Sequence, residues 1–139
     1  MPGETNLSQL LTTMRPLRQP EEYVFCCLPP QANCPPDLTP VGQFREAEGL
    51  TLMLPRPQAD GAGLPYTAVF AMITLTVHSS LEAVGFLAAI AAQLARHGIS
   101  VNPVSAVYHD HLFVPVAQAE RALALLQELA AQTSAPEQG

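Results

Sequence analysis

Val69-Phe70-Ala71-Met72-Ile73-Thr74-Leu75-Thr76-Val77, then Ser79-Ser80-Leu81-Glu82, then an apolar run closing at His97-Gly98, is the stretch that decides the fold. The first nine residues alternate. Val69, Ala71, Ile73, Leu75 and Val77 lie on one face; Phe70, Met72, Thr74 and Thr76 lie on the other. Both faces are mostly apolar, which predicts a central strand over 69–77 covered on at least one side by helices. Ser79-x-x-Glu82 has the spacing of a capping box and predicts a helix over 79–97. Arg96 and His97 suit its negative end, and Gly98 suits the position just beyond it.

Downstream, residues 99–108 and 111–116 read as a β-hairpin with its turn near His109-Asp110. Pro115 falls late in the second arm, where a strand end tolerates it. A last helix is predicted over 118–131, with Ala119, Ala122, Leu123, Leu126, Leu129 and Ala130 inward, followed by a polar tail over 134–139. The order β-α-β-β-α generates an antiparallel sheet with helices on one face, the ferredoxin-like layout. It lacks a fourth strand, which the first half of the chain must supply.

Upstream, Leu7, Leu10, Leu11 and Met14 follow helical spacing behind Asn6 as a cap, and Pro16 forces an exit. Tyr23–Leu28, Val41–Arg45 and Leu50–Leu54 read as strands. Residues 29–40 hold five prolines and read as an irregular loop. Glu48-Gly49 reads as a turn, and a helical turn is expected over 57–61. The stretch Gly61-Ala62-Gly63-Leu64-Pro65 marks a boundary between a unit over 1–63 and one over 64–133. Glu48–Ala59 aligns by residue type with Asp110–Ala119, and Tyr23–Leu28 with 69–77. The first half thus reads as a reduced copy of the second, its first helix replaced by the proline-rich loop.

Composition narrows the function classes. Twelve acidic residues against six arginines give a net charge of −6. There is no lysine and no basic stripe, which argues against nucleic-acid binding and against a polybasic membrane contact. Residues Met1–Thr5 lack the basic and apolar parts of a secretory signal. The apolar stretches are interrupted well short of the ~20 residues a membrane span requires. Three cysteines do not make a disulfide framework and suit a reducing, cytoplasmic location. Only 13% of residues are charged, about half the usual ~25%. So sparsely charged a surface predicts self-association into a homodimer or a higher homo-oligomer.

Phe70–Val77, Leu81, Val84-Gly85-Phe86-Leu87, Ile90, Leu94, Gly98–Asn102 and His111–Val116 together resemble the ACT domain, especially the regulatory ACT pair of aspartate kinases. Tyr23–Cys26, Arg45–Leu52, Val77–Gly85 and Tyr108–Pro115 extend the likeness over residues 7–131, to small bacterial stand-alone tandem ACT-like proteins. The resemblance implies an α+β fold of two ferredoxin-like (βαββαβ) units, the N-terminal one reduced. It implies a regulatory module, not an enzyme, that needs no cofactor. Its partners would be an amino-acid effector held between two ACT units and an enzyme that it regulates. The residues implied for ligand binding are His78, Ser79, Ser80, Leu81, Val84, Gly85, Asn102, Val104 and Asp110. One departure stands out: His78-Ser79-Ser80-Leu81 occupies the place of the family's Asp-x-Pro-Gly turn.

An amino acid needs donors for its carboxylate and acceptors for its ammonium. The start of the helix after His78 offers free N–H groups at its positive end, and Ser79 and Ser80 add hydroxyls. Gly85 would admit a close approach. Asp110, Glu48 and strand-end carbonyls near Asn102 and Val104 could meet the ammonium. The plainer readings are that Ser79 only caps its helix, and that Asp110 and Glu48-Gly49 are ordinary turn chemistry. A rival reading is a small metal-dependent enzyme with His78, His109, Asp110 and His111 as ligands. Successive residues on a strand point to opposite faces, which argues against His109 and His111 sharing a metal with Asp110. Cys26-Cys27 are neighbours on a strand and face apart for the same reason. A third reading is a ligand-free protein-interaction module.

Overall fold

The structure of the chain, a computed structural model, describes residues 3–134. Met1, Pro2 and the expected tail beyond residue 134 lie outside the described residues. Among these, no helix is long and apolar enough to cross a membrane.

The elements are α1 (Leu7–Thr13), β1 (Pro16–Leu28), β2 (Gly42–Glu46), β3 (Gly49–Pro55), α2 (Arg56–Ala62), β4 (Phe70–Leu75), α3 (Phe86–Arg96), β5 (Asn102–Ser105), β6 (Asp110–Pro115), a 3-10 turn (Val116–Gln118) and α4 (Ala119–Ser134). The strands hydrogen-bond in the order β2-β3-β1-β4-β6-β5. The described residues divide into two compact units, one of Pro20–Ala71 and one of 3–19 with 72–134.

In the unit Pro20–Ala71, β1 and β3 pair antiparallel from Tyr23↔Pro55 to Leu28↔Leu50. The β2–β3 pair runs from Gly42↔Met53 to Glu46↔Gly49. Strand alternation sends Val24, Cys26, Leu50, Leu52 and Leu54 to one face, where they form a core with Leu38 and Ala59. Leu38 comes from the proline-rich loop, which stands where the second half has a helix and forms neither helix nor strand. The Arg45 guanidinium holds the loop, donating to the carbonyls of Pro30 (2.9 Å) and Ala32 (3.2 Å) and to Asn33 Oδ1 (3.3 Å). Gly49 has a steric reason: a Cβ there would lie 2.4 Å from the Leu28 carbonyl oxygen.

In the other unit, Leu10 of α1 and Met14 just beyond it, Ile73 and Leu75 of β4, Ile90 and Leu94 of α3, Leu112 and Val114 of β6, and Ala122 and Leu126 of α4 are fully buried. Asn6 caps α1, its Oδ1 accepting from the Gln9 N–H at 2.9 Å. The Arg121 guanidinium donates to the His97 carbonyl at 3.1 Å, satisfying an oxygen at the end of α3. The expected repeat is visible in backbone detail. Pro55 (φ −53°, ψ 132°) and Pro115 (φ −53°, ψ 134°) leave their strands in the same conformation. Ala59 and Ala119, each four residues on, are both fully buried.

Three local expectations are corrected. The capping box does not start a helix at Ser79; α3 begins at Phe86, after Gly85 at φ 89°. Ser80 instead closes a turn, its Oγ accepting from the Glu82 N–H (3.0 Å) and its carbonyl from the Ala83 N–H (3.0 Å). The hairpin turn is not at His109-Asp110: the Ala106 N–H donates to the His109 carbonyl at 3.0 Å, and Asp110 already pairs with Ser105 in the ladder. Finally, β1 starts at Pro16, not Tyr23. Its first half is rich in polar residues and proline and carries no clear alternation.

Candidate functional site

The site is built where the chain leaves β4. Leu75 ends the strand, and residues 76–85 form a loop before α3. On β6, alternation puts Asp110, Leu112 and Val114 on one face and His111 and Phe113 on the other. Asp110 is thereby carried into the unit beside the loop. Ser79 Oγ donates to Asp110 Oδ2 at 2.8 Å, and each residue is only 5% exposed. A cleft of about 140 Å³ opens over this pair, lined by Ser79, Ser80, Leu81, Gly85, Ser105 and Asp110 with the first turn of α3.

The electrostatics of the cleft are two-sided. Asp110 places a carboxylate at its floor. At its wall, Phe86, Leu87 and Ala88 belong to the first turn of α3, whose N–H groups have no intrahelical acceptor. Gly85 offers no side-chain cap. A negative group and the positive end of a helix thus share one small space.

The remaining expected residues are placed as follows. Leu81 and Val84 stand on the loop with exposures of 66% and 84%. The His78 ring packs on the Tyr108 ring, 5.3 Å between centroids. Asn102 and Val104 lie on β5 and do not line the cleft, whereas Ser105 at the end of that strand does. Ser105 was not singled out from sequence; the signal that finds it is the β5–β6 register, which sets it opposite Asp110. Glu48 is an exposed turn residue in the other unit.

The histidines do not converge. His111 Nδ1 lies 2.9 Å from Thr74 Oγ1, which also accepts from Gln19 Nε2 at 3.0 Å. His109 stands edge-on to His111, 6.4 Å between centroids. Burial pushes the His111 pKa below the usual imidazole value and the neighbouring His109 pushes the same way, while Asp110 opposes them. Among the described residues, no three His, Cys, Asp or Glu side chains come together as a metal-holding group. Cys26 is buried and Cys27 exposed, and desolvation raises the Cys26 thiol pKa.

Family models of the ACT domain match residues 2–71 and residues 68–128. The chain is a tandem ACT-domain protein. Among solved structures, this ACT-domain protein is similar to a Vibrio cholerae protein of unknown function, described as a possible transport protein. The two are 48% identical over 89% of this chain and 95% of that one, with a TM-score of 0.81. It also resembles the regulatory subunit of Thermus flavus aspartate kinase at 8% identity, with 83% and 96% coverage and a TM-score of 0.59. Clostridium acetobutylicum aspartate kinase is similar at 10% identity and a TM-score of 0.68, over 91% of this chain and 36% of the kinase. At such identities the kinase likenesses concern the fold. A comparison with curated protein sequences finds no match. ACT domains are typically regulatory modules without catalysis of their own.

Proposed function

We propose that this ACT-domain protein is an allosteric sensor whose effector, an amino acid, is held in the cleft over Ser79 and Asp110. One observation carries the reading: a buried carboxylate and a set of free helix N–H groups line the same cleft. The donor to Asp110 is a neutral hydroxyl. An ammonium would add the countercharge that a hydroxyl lacks, and the start of α3 would take the carboxylate of the same molecule. The cleft is small beside the ~300–1,000 Å³ of pockets for drug-sized ligands, so its occupant is small or is enclosed by a second surface. On this reading Ser79, Ser80, Gly85 and Asp110 touch the effector. His78, Leu81 and Val84 shape the rim, and Asn102 and Val104 support the strand that carries Ser105.

The Gly61–Pro65 junction is where the repeat begins again, dividing ACT-like units over 1–63 and 64–133. A homodimer in the cytoplasm, coupled to a regulated enzyme, completes the proposal. Binding would favour one packing of the units and so alter the surface a partner reads. The test is a thermal-shift screen of the twenty amino acids on untagged protein, repeated on the Ser79→Ala, Ser80→Ala double variant. One amino acid should raise Tm, and the variant should lose the effect, because a ligand of the native state alone must stabilise it. No shift at millimolar concentrations would overturn the amino-acid reading.

A further inference from the structure

The loop that carries Ser79 is held from outside by a segment that precedes the repeat. The Glu4 N–H donates to the His78 carbonyl at 2.8 Å, and the Glu4 carbonyl accepts from the Ser80 N–H at 2.9 Å. This parallel bridge brackets Ser79, the residue whose hydroxyl reaches Asp110. At its start the loop is also tied to the chain before β1, the Thr76 N–H donating to the Arg15 carbonyl at 3.0 Å; beyond Thr76 its other backbone bonds are local, from the Val77 N–H to Leu75, the Ser79 N–H to Val77 and the Ala83 N–H to Ser80.

Gly3 makes the approach possible. A Cβ at that position would lie 2.6 Å from the carbonyl carbon of Ser79 and 2.6 Å from the nitrogen of Ser80, so any side chain must displace the loop. The same segment reaches the other end of the loop: a Cβ on Gly85 would meet Leu7 Cδ2 at 3.4 Å. Between these points the chain has little slack. The Glu4 carboxylate accepts from the N–H groups of Thr5 (3.0 Å) and Asn6 (2.8 Å), and Asn6 caps α1. Leu10 and Met14 then anchor α1 in the core.

We propose that Gly3–Leu7 is a strap that positions the effector site. The Glu4 backbone fixes the Ser79 loop against Asp110, and the docked fraction of the strap sets the apparent affinity of the cleft. The affinity part rests on the function proposed above; the docking part does not. A loop whose long-range backbone bonds are lost belongs to the least stable part of a fold and opens locally. Apparent affinity then falls by the fraction of molecules that keep the competent loop.

The variants are Glu4→Pro, which deletes the N–H that reaches His78, Gly3→Ala, which forces the steric conflict, and Glu4→Gln, which keeps the backbone bridge and a side-chain acceptor. In full-length protein, the Ser80 amide should exchange with solvent about tenfold faster in the first two, while the Ile73 and Leu112 amides keep their protection. For an amino acid that shifts wild-type Tm, calorimetry should give a Kd about tenfold weaker in those two variants and unchanged in Glu4→Gln. An unchanged Ser80 exchange rate in Glu4→Pro overturns the strap. Faster exchange with unchanged Kd overturns its effect on affinity. If no amino acid binds the wild type, the sensor reading fails by itself, and Ser80 exchange still decides whether the strap holds Ser79.

Discussion

His111 sits at the end of a polar chain, Gln19–Thr74–His111, that crosses from β1 through β4 to β6. Burial and the His109 ring depress its pKa; Asp110 acts against them, and Thr74 and Gln19 are neutral. The folded-state value lies below the free value of about 6.5, so in that window the unfolded chain binds more protons. The contribution to stability is complete above about pH 6.5 and is lost as pH falls toward the folded-state value. His111→Gln can still meet Thr74 but does not titrate. Urea unfolding between pH 7.5 and about 5 should show a shallower fall for this variant than for wild type; parallel curves would assign the acid sensitivity to other groups. How far single residues were legible differs by residue. Asp110 looked like a turn residue, because two histidines and a tyrosine around it carry no strand alternation. Ser79 looked like a cap. Each has the right chemistry alone, but their pairing spans 31 positions and depends on the strand register, which local sequence does not encode.

At the scale of elements, the apolar strands were legible to within a residue or two: β3 and β6 by their apolar runs, β4 by its two apolar faces. The start of α3 was not. Ser79-x-x-Glu82 has the capping-box spacing, yet Ser79 is drawn away by Asp110 and Ser80 spends its hydroxyl on the Glu82 N–H. The helix starts only after Gly85, whose φ of 89° no L side chain adopts readily. Tertiary bonding therefore overrode a local signal that was correct in form. The two explanations separate by mutation. Gly85→Ala should lower the unfolding free energy by about 1–2 kcal/mol through the left-handed backbone, whereas Glu82→Ala, an exposed turn residue, should stay within about 0.5 kcal/mol. Urea titrations would measure both; a larger loss at Glu82 would restore the capping box. The proline-rich loop was legible as irregular, but its role was not. That Arg45 would fork onto three of its residues, and that Leu38 would fill the core, are tertiary contacts that no motif announces.

For the whole molecule, composition raises a question that its cleft sharpens. Only 13% of the residues are charged, and the loop beside the cleft carries Leu81, which lines it, and Val84, both exposed. Isolated exposed apolar residues are common and need no explanation. Two on a single loop, beside a cleft that is small by itself, favour a second copy as cover. Val84 makes the test clean, because at 84% exposure its side chain adds little to the fold. Val84→Glu should therefore leave unfolding free energy within about 0.5 kcal/mol at concentrations where the chain is monomeric. If the chain forms the proposed homodimer through this loop, sedimentation velocity should show the variant shifted toward monomer, since a charge would have to be buried without a partner. If association is unchanged, the interface lies elsewhere and the cleft is complete within one chain. If association weakens, amino-acid binding must weaken with it, and an amino acid that binds must in turn strengthen dimerisation by the same factor, because coupling between two equilibria is reciprocal. Measuring the dimer dissociation constant with and without that amino acid then tests both halves of the coupling in one protein.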